Sequence, residues 1–316
     1  MFMLFYLKKV MFVILLLLLS ITTVYGQVKE VLSPAIVINI PSRMLELYSG
    51  NTLIREYPVA VGKASTPSPI GQFNIIDKEI NPTWIPEGLG YTVLSGPNNP
   101  LGYRWIGFFD LFGIHGNNAP WSIGQAVSNG CIRMREEDVE EVFDVVKYGT
   151  PVTVTYDRIK TKIDSQGQAT VGVYPDIYSR KTVTLAEIND KLSEVGLKGL
   201  ASEELLQQVI REEAGNQVPF AKFHKIKVNG TLLTERAVTI DRNMYVPVWA
   251  IAVAFKSNII WDEKAQMLWK GERVVKGAVK GDIIYINEED IVKLFAGQQV
   301  FKSVENLLEI NGDGDK

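Results

Sequence analysis

The chain has 316 residues, of which 46% are hydrophobic and 22% charged, with a formal net charge of -3. That length suits two or three domains, and the near-balanced charge excludes the basic domain or stripe a nucleic-acid partner requires. A single cysteine excludes an intramolecular disulfide, and with only two histidines beside it the chain has too few nitrogen and sulfur ligands for a metal enzyme, so neither metal nor cofactor is expected.

Lys8 and Lys9 precede an apolar run from Val10 to Ile21, and Val24 and Gly26 follow as small residues before a cut. A positive n-region, an apolar h-region and a cleavage site make residues 1–26 a signal peptide. The competing reading is an uncleaved anchor, because Val10 to Gly26 reaches the short limit of a span of about 17–25 residues. Either way the protein is expected outside the cytoplasm, at the cell wall or the outer face of the membrane. A free thiol there is open to oxidation. The lone Cys131 is therefore weighted toward a functional thiol over a buried inert one.

Residues 35–156 read as a mostly β domain. Strands are predicted over 35–40, 44–50, 52–62, 71–80 and 151–156, with Pro41-Ser42-Arg43 and Ser49-Gly50-Asn51 as turns. One helix is predicted at 135–149. Val139, Val142, Phe143 and Val146 share one face, Glu136, Glu137 and Asp138 favour the dipole's positive end, and Gly149 stops it.

Residues 157–222 read as a helical connector, with Thr184 and Ser202 as N-caps and Glu187 completing a capping box for the first. Residues 223–312 read as a small α+β domain of short strands, turns at Asn229-Gly230 and 241–243, and helices at 248–255 and after IIYIN. Its pieces KVNGTLL, MYVPVWAIAVAF and IIWDEKAQML resemble the copper amine oxidase N-terminal-like domain. No copper site accompanies the resemblance, since His224 stands alone without a cysteine. The terminal NGDGDK lacks the spacing and final Glu of a calcium loop.

Cys131 lies in VSNGCIRM and His115 sixteen positions before it. A nucleophilic thiol needs a partner for its proton, and an imidazole supplies one. Gly116, Asn117, Asn118, Pro120, Gly124, Asn129 and Gly130 provide the turn chemistry for a return that lets the two meet. A papain-like peptidase places Cys before His, the reverse of this order. The pattern Ile-His-Gly, a loop, then Ser-Asn-Gly-Cys-Ile-Arg-Met resembles the L,D-transpeptidase (YkuD-like) catalytic domain. The stretches 59–86 and 96–108 resemble the family's preceding segments in the same order. The resemblance spans about residues 35–156. One position departs: Asn129 stands where that family's block often carries a second histidine.

The resemblance implies a β-sandwich with a helix and an exported enzyme acting on peptidoglycan stem peptides. Cys131 would attack the carbonyl of the third stem residue, release D-Ala and hold a thioester for a 3→3 cross-link. His115 would act as general acid and base, with the Gly116 carbonyl orienting its ring. Backbone N–H groups near Gly130 and Cys131 would form an oxyanion hole. Ser128 would bond locally, and Asn129 would touch substrate or donate to it. Arg133 would either bind a substrate carboxylate or pair with Glu136 or Glu137. Trp84, Tyr103, Trp105 and Trp121 flank these loops, and each is more simply packing than groove. Carbapenem-type β-lactams are the implied inhibitors. Three alternatives stay open: an L,D-carboxypeptidase using water, exchange with a free D-amino acid, and a non-catalytic scaffold that binds the cell wall through 223–312.

Overall fold

The computed structural model describes residues 33–86, 88 and 90–312, so the signal-peptide reading of 1–26 lies outside the described residues. Apolar alternation builds two facing sheets between 34 and 155. The strands are β1 (Pro34–Asn39), β2 (Met44–Ser49), β3 (Thr52–Pro58), β4 (Val61–Gly62), β5 (Gly71–Asn74), β6 (Asp77–Ile80), β7 (Arg104–Phe109), β8 (Phe112–His115), β9 (Ala126–Ser128), β10 (Ile132–Arg133) and β11 (Pro151–Thr155). One sheet runs β3-β2-β1-β11-β5, with only β1 and β11 parallel. The other runs β10-β8-β7-β6, with β10 parallel to β8. Ile36, Ile38, Leu45 and Leu47 of the first sheet meet Ile106, Phe108, Ile114 and Ile132 of the second in one core. The helix α1 (Glu136–Val145) adds Val139, Val142 and Phe143 to it.

Two predicted strands split. The stretch 71–80 changes sheets at the buried Ile75, whose N–H reaches Thr150 O while that of Ile76 reaches Gly107 O. The stretch 52–62 breaks at Val59 and Ala60, which bond to Arg43 and Arg133 instead of β2. The helix also ends before the expected Gly149. Val146 is already extended, and Lys78 Nζ donates to the carbonyls of Phe143 at 2.6 Å and Val146 at 2.7 Å. A half-buried lysine from β6 thus closes the end, and Gly149, at φ 83°, serves the turn into β11.

Beyond 157 the two predicted helices form, at Leu185–Glu194 and Glu203–Glu212. Thr184 makes the capping box, and Ser202 caps through Leu205 N. The stretch is not helical throughout, however. Ile159–Ile163 and Gln168–Val173 form a hairpin that joins Val218–Val228, Thr231–Ile240 and Asn243–Pro247 in one nine-stranded sheet. Apolar residues alternate along 169–173, and the Asp164–Gly167 turn, with Gly167 at φ 82°, reverses the chain. The helices 185–194 and 203–212 therefore cover one face of a sheet shared with the C-terminal part, around Val171, Ala221 and Val238. The opposite face packs Ile226, Ala237 and Val246 against the helices Val248–Ala254 and Glu288–Phe295. Asn229 and Gly230, at φ 46° and 83°, make the two-residue hairpin turn whose positive angles suit strand twist.

Candidate active site

The parallel pairing of β10 with β8 brings the thiol to the histidine. Ile132 pairs with Ile114 and Arg133 with His115, so the same register puts Cys131 beside Gly113. Side chains alternate along a strand. Ile132 and Ile114 point into the core, both 0% exposed, which turns Cys131, Arg133 and His115 to the other face. Cys131 and His115 are then diagonal neighbours across adjacent strands. The intervening loop is closed by Asn117. Its Nδ2 donates to Met134 O, and its Oδ1 accepts from Ala119 N at 2.7 Å.

His115 is 4% exposed, and its Nδ1 lies 2.6 Å from Gly116 O. A carbonyl only accepts, so Nδ1 carries the proton and Nε2 keeps its lone pair. Burial drives the imidazole pKa down to about 4, and Arg133 adds to the fall. The carbonyls of Gly116 and Leu101 oppose it. Burial pushes the Cys131 thiol up, against weaker lowering by the Gly113 N–H and Arg133. The resting pair near neutral pH is thus thiol and neutral imidazole. The thiol's hydrogen bond goes to Leu111 O, at 3.7 Å.

The turn before Cys131 is built by Ser128, which is 1% exposed. Its Oγ donates to Cys131 O at 2.6 Å and accepts from Gly130 N at 3.1 Å. The Gly130 amide is thereby committed within the turn. Gly130 sits at φ 114°, and a Cβ there would strike the Phe112 ring, so packing and backbone angle both demand glycine. Asn129 is exposed. Arg133 is half-buried, and among the described residues no ion pair joins it to Glu136 or Glu137. Glu136 is engaged elsewhere. It accepts from Tyr103 N at 2.7 Å and from the Asn117 amide, directly beneath Gly116, where a Cβ would collide with its carboxylate. Burial raises its pKa.

Trp105 carries more than its sequence position indicated. It pairs with His115 across β7 and β8 and stacks on the imidazole, 5.8 Å between centroids at 22°. Its indole also lies over Gly113, where a Cβ would come within 2.6 Å of the ring. Trp84 instead meets Tyr91 edge-on, and Trp121 is 71% exposed. The alternation around His115 could have singled out Trp105, because its facing position follows once β7 and β8 are paired. Glu136 had no such signal; its first-turn position pointed to the helix dipole alone.

A two-sheet domain carrying a thiol and a tautomer-fixed imidazole on neighbouring parallel strands defines a thiol–imidazole catalytic domain. Residues 33–154 match the YkuD family model, an L,D-transpeptidase catalytic domain. A Bacillus subtilis protein named as the L,D-transpeptidase YqjB is 36% identical over 131 residues, 40% of this chain and 73% of its own. The chain belongs to the L,D-transpeptidase family. The Bacillus licheniformis protein named as the L,D-transpeptidase YkuD is 39% identical over 121 residues, 38% of this chain, and the chain spans 64% of that relative's length. Among solved structures, an L,D-transpeptidase from Mycobacterium smegmatis overlaps 39% of this chain and 58% of its own at 24% identity, with a TM-score of 0.33.

Proposed function

We propose that this protein is an exported L,D-transpeptidase that forms 3→3 cross-links between peptidoglycan stem peptides through a thioester on Cys131. The observation that carries the proposal is the β8–β10 register, which sets Cys131, His115 and Arg133 on one face with Nε2 of His115 free to accept a proton. Substrate displaces the thiol from Leu111 O. His115 Nε2 takes the thiol proton as Sγ bonds to the carbonyl carbon of the third stem residue. The oxyanion is met by the Cys131 N–H, since Gly130 N is held by Ser128. The carbon–nitrogen bond to D-Ala breaks, and its amine leaves with the proton from His115. An acceptor amine then gives a proton to His115, attacks the thioester and expels Sγ, which recovers the proton.

In this scheme the Gly116 carbonyl keeps the imidazole in one tautomer, and Ser128 fixes the turn. Arg133, without a carboxylate partner among the described residues, receives a substrate carboxylate. Asn129 offers its amide to substrate from the exposed rim. Carbapenems acylate the same thiol. Residues 223–312, which resemble the copper amine oxidase N-terminal-like domain, hold the enzyme on the cell wall. Incubation with disaccharide tetrapeptide and mass analysis of products tests the reaction. A cross-linked dimer with D-Ala release is expected. Release without dimer points to water or a free D-amino acid as acceptor, and no release at all overturns the proposal. A wall pull-down with the full chain and with a chain ended at 156, before the shared nine-stranded sheet begins, tests the anchoring; equal retention contradicts it.

A further inference from the structure

The chain that follows the family-matched region comes back to the nucleophile. Tyr156 and Tyr178 stack with centroids 5.5 Å apart, and Arg180 lies against both rings. Tyr156 Oη donates to Asp176 Oδ1 at 2.6 Å and accepts from Tyr178 N at 2.9 Å. Asp176 pairs in turn with Arg158, which is 3% exposed and donates to the carbonyls of Tyr174 and Lys181. The Tyr178 ring is therefore fixed on the catalytic domain by a half-buried polar network that rests on the buried Arg158.

The Tyr178 hydroxyl closes a loop. It donates to Gly62 O at 2.7 Å and accepts from Ser68 N at 3.1 Å. Gly62 N also donates to Ser68 Oγ at 2.9 Å, and Ser68 is 1% exposed. Residue 62 has no room for a Cβ, which would collide with Thr66 O and lie 2.6 Å from Ser68 N. The same loop grips the turn before the nucleophile. Lys63 N and Thr66 Oγ1 both donate to Ser128 O, at 3.0 and 3.1 Å. Ser128 Oγ then holds Gly130 N and Cys131 O. Hydrogen bonds joined through the backbone of the 62–68 loop thus connect Tyr178, outside residues 33–154, to the turn that carries the nucleophile.

We infer that Tyr178 is a positioning residue for Cys131: its hydroxyl fixes the 62–68 loop, and that loop sets the turn presenting the thiol. The inference rests on the proposed reaction only in taking Cys131 as the reacting group. Hydrogen bonds inside such a network support one another, so loss at one end should reach the other.

Tyr178→Phe in the full chain deletes the hydroxyl and keeps the stacked ring. The expected result is faster amide exchange at Ser68 and a kcat for D-Ala release lowered by about fivefold or more, with KM within about twofold. Thr66→Val cuts the next link and should act in the same direction. The double variant should lose less than the product of the two single losses. A hydroxyl with only a structural role would lower the melting temperature and leave kcat alone. Unchanged kcat in folded Tyr178→Phe, or losses that simply multiply, would overturn the inference. If the wild type releases no D-Ala, the transpeptidase reading fails by itself. The inference is then read from the rate of Cys131 alkylation by iodoacetamide, where equal rates in wild type and Tyr178→Phe would overturn it.

Discussion

Acylation of Cys131 should stay fast well below the pH at which an ordinary histidine stops working as a base. An imidazole with pKa about 6.5 would be only ~10% neutral at pH 5.5. With its pKa held near 4 by burial, His115 remains ~95% neutral there. The rate of carbapenem acylation, followed by intact mass, should therefore fall by less than about 1.5-fold between pH 7.5 and 5.5, and steeply only near pH 4. Stability carries the opposite face of the same linkage. Above pH 6.5 the imidazole is neutral in both folded and unfolded chains and adds no pH dependence. Below it the unfolded chain takes a proton that the folded one refuses, so stability drops as pH falls toward 4, by an amount on the order of 3 kcal/mol from this group. His224, also lowered by burial, contributes in the same direction. Denaturant melts of wild type and His115→Asn between pH 7 and 4 isolate the His115 share as the difference between their slopes. An acid limb of acylation near pH 6.5, or parallel slopes for the two chains, would refute the placement of a buried neutral base.

Two substitutions probe the scaffold beneath that base. Gly113→Ala puts a methyl group within 2.6–2.9 Å of three Trp105 ring atoms, so the indole must leave its stack on His115. We expect a loss of about 1–3 kcal/mol in a denaturant melt and acylation slowed by roughly tenfold or more, both eased by adding Trp105→Phe. Lys78→Met removes the donor to the Phe143 and Val146 carbonyls at the end of α1. It should cost about 1–3 kcal/mol in the same melt and leave the acid limb of acylation in place.

Much of this arrangement was legible from local pattern. Alternation located β1, β2 and β11, the i, i+3, i+4 spacing located α1, and Thr184 with Glu187 announced its capping box. Cys131 and His115 stood out because the chain holds one cysteine and two histidines. What sequence could not supply was partnership across distance. Gly130 looked like an oxyanion-hole donor, yet its N–H is taken by Ser128 Oγ, and the Phe112 ring of another strand fills the place of a Cβ. Arg133 had two carboxylates within reach in sequence, yet Glu136 turns to the amides of Tyr103 and Asn117. The hairpin 159–173 was missed beside a strongly helical run, because its partner strand, Val218–Val228, lies some fifty residues on. Lys78 and Tyr178 act on carbonyls and amides 65 or more residues away, a relation that no periodicity encodes.

The central claim is a covalent acyl-enzyme on Cys131 made from a tetrapeptide donor. Mixing the full chain with disaccharide tetrapeptide, quenching in acid and recording the intact mass tests it directly. The account predicts an adduct equal to the donor less D-Ala, located to the peptide containing Cys131 and absent from Cys131→Ala, with His115→Asn forming it far more slowly. Turnover without any such adduct, or an adduct that survives in Cys131→Ala, would contradict it.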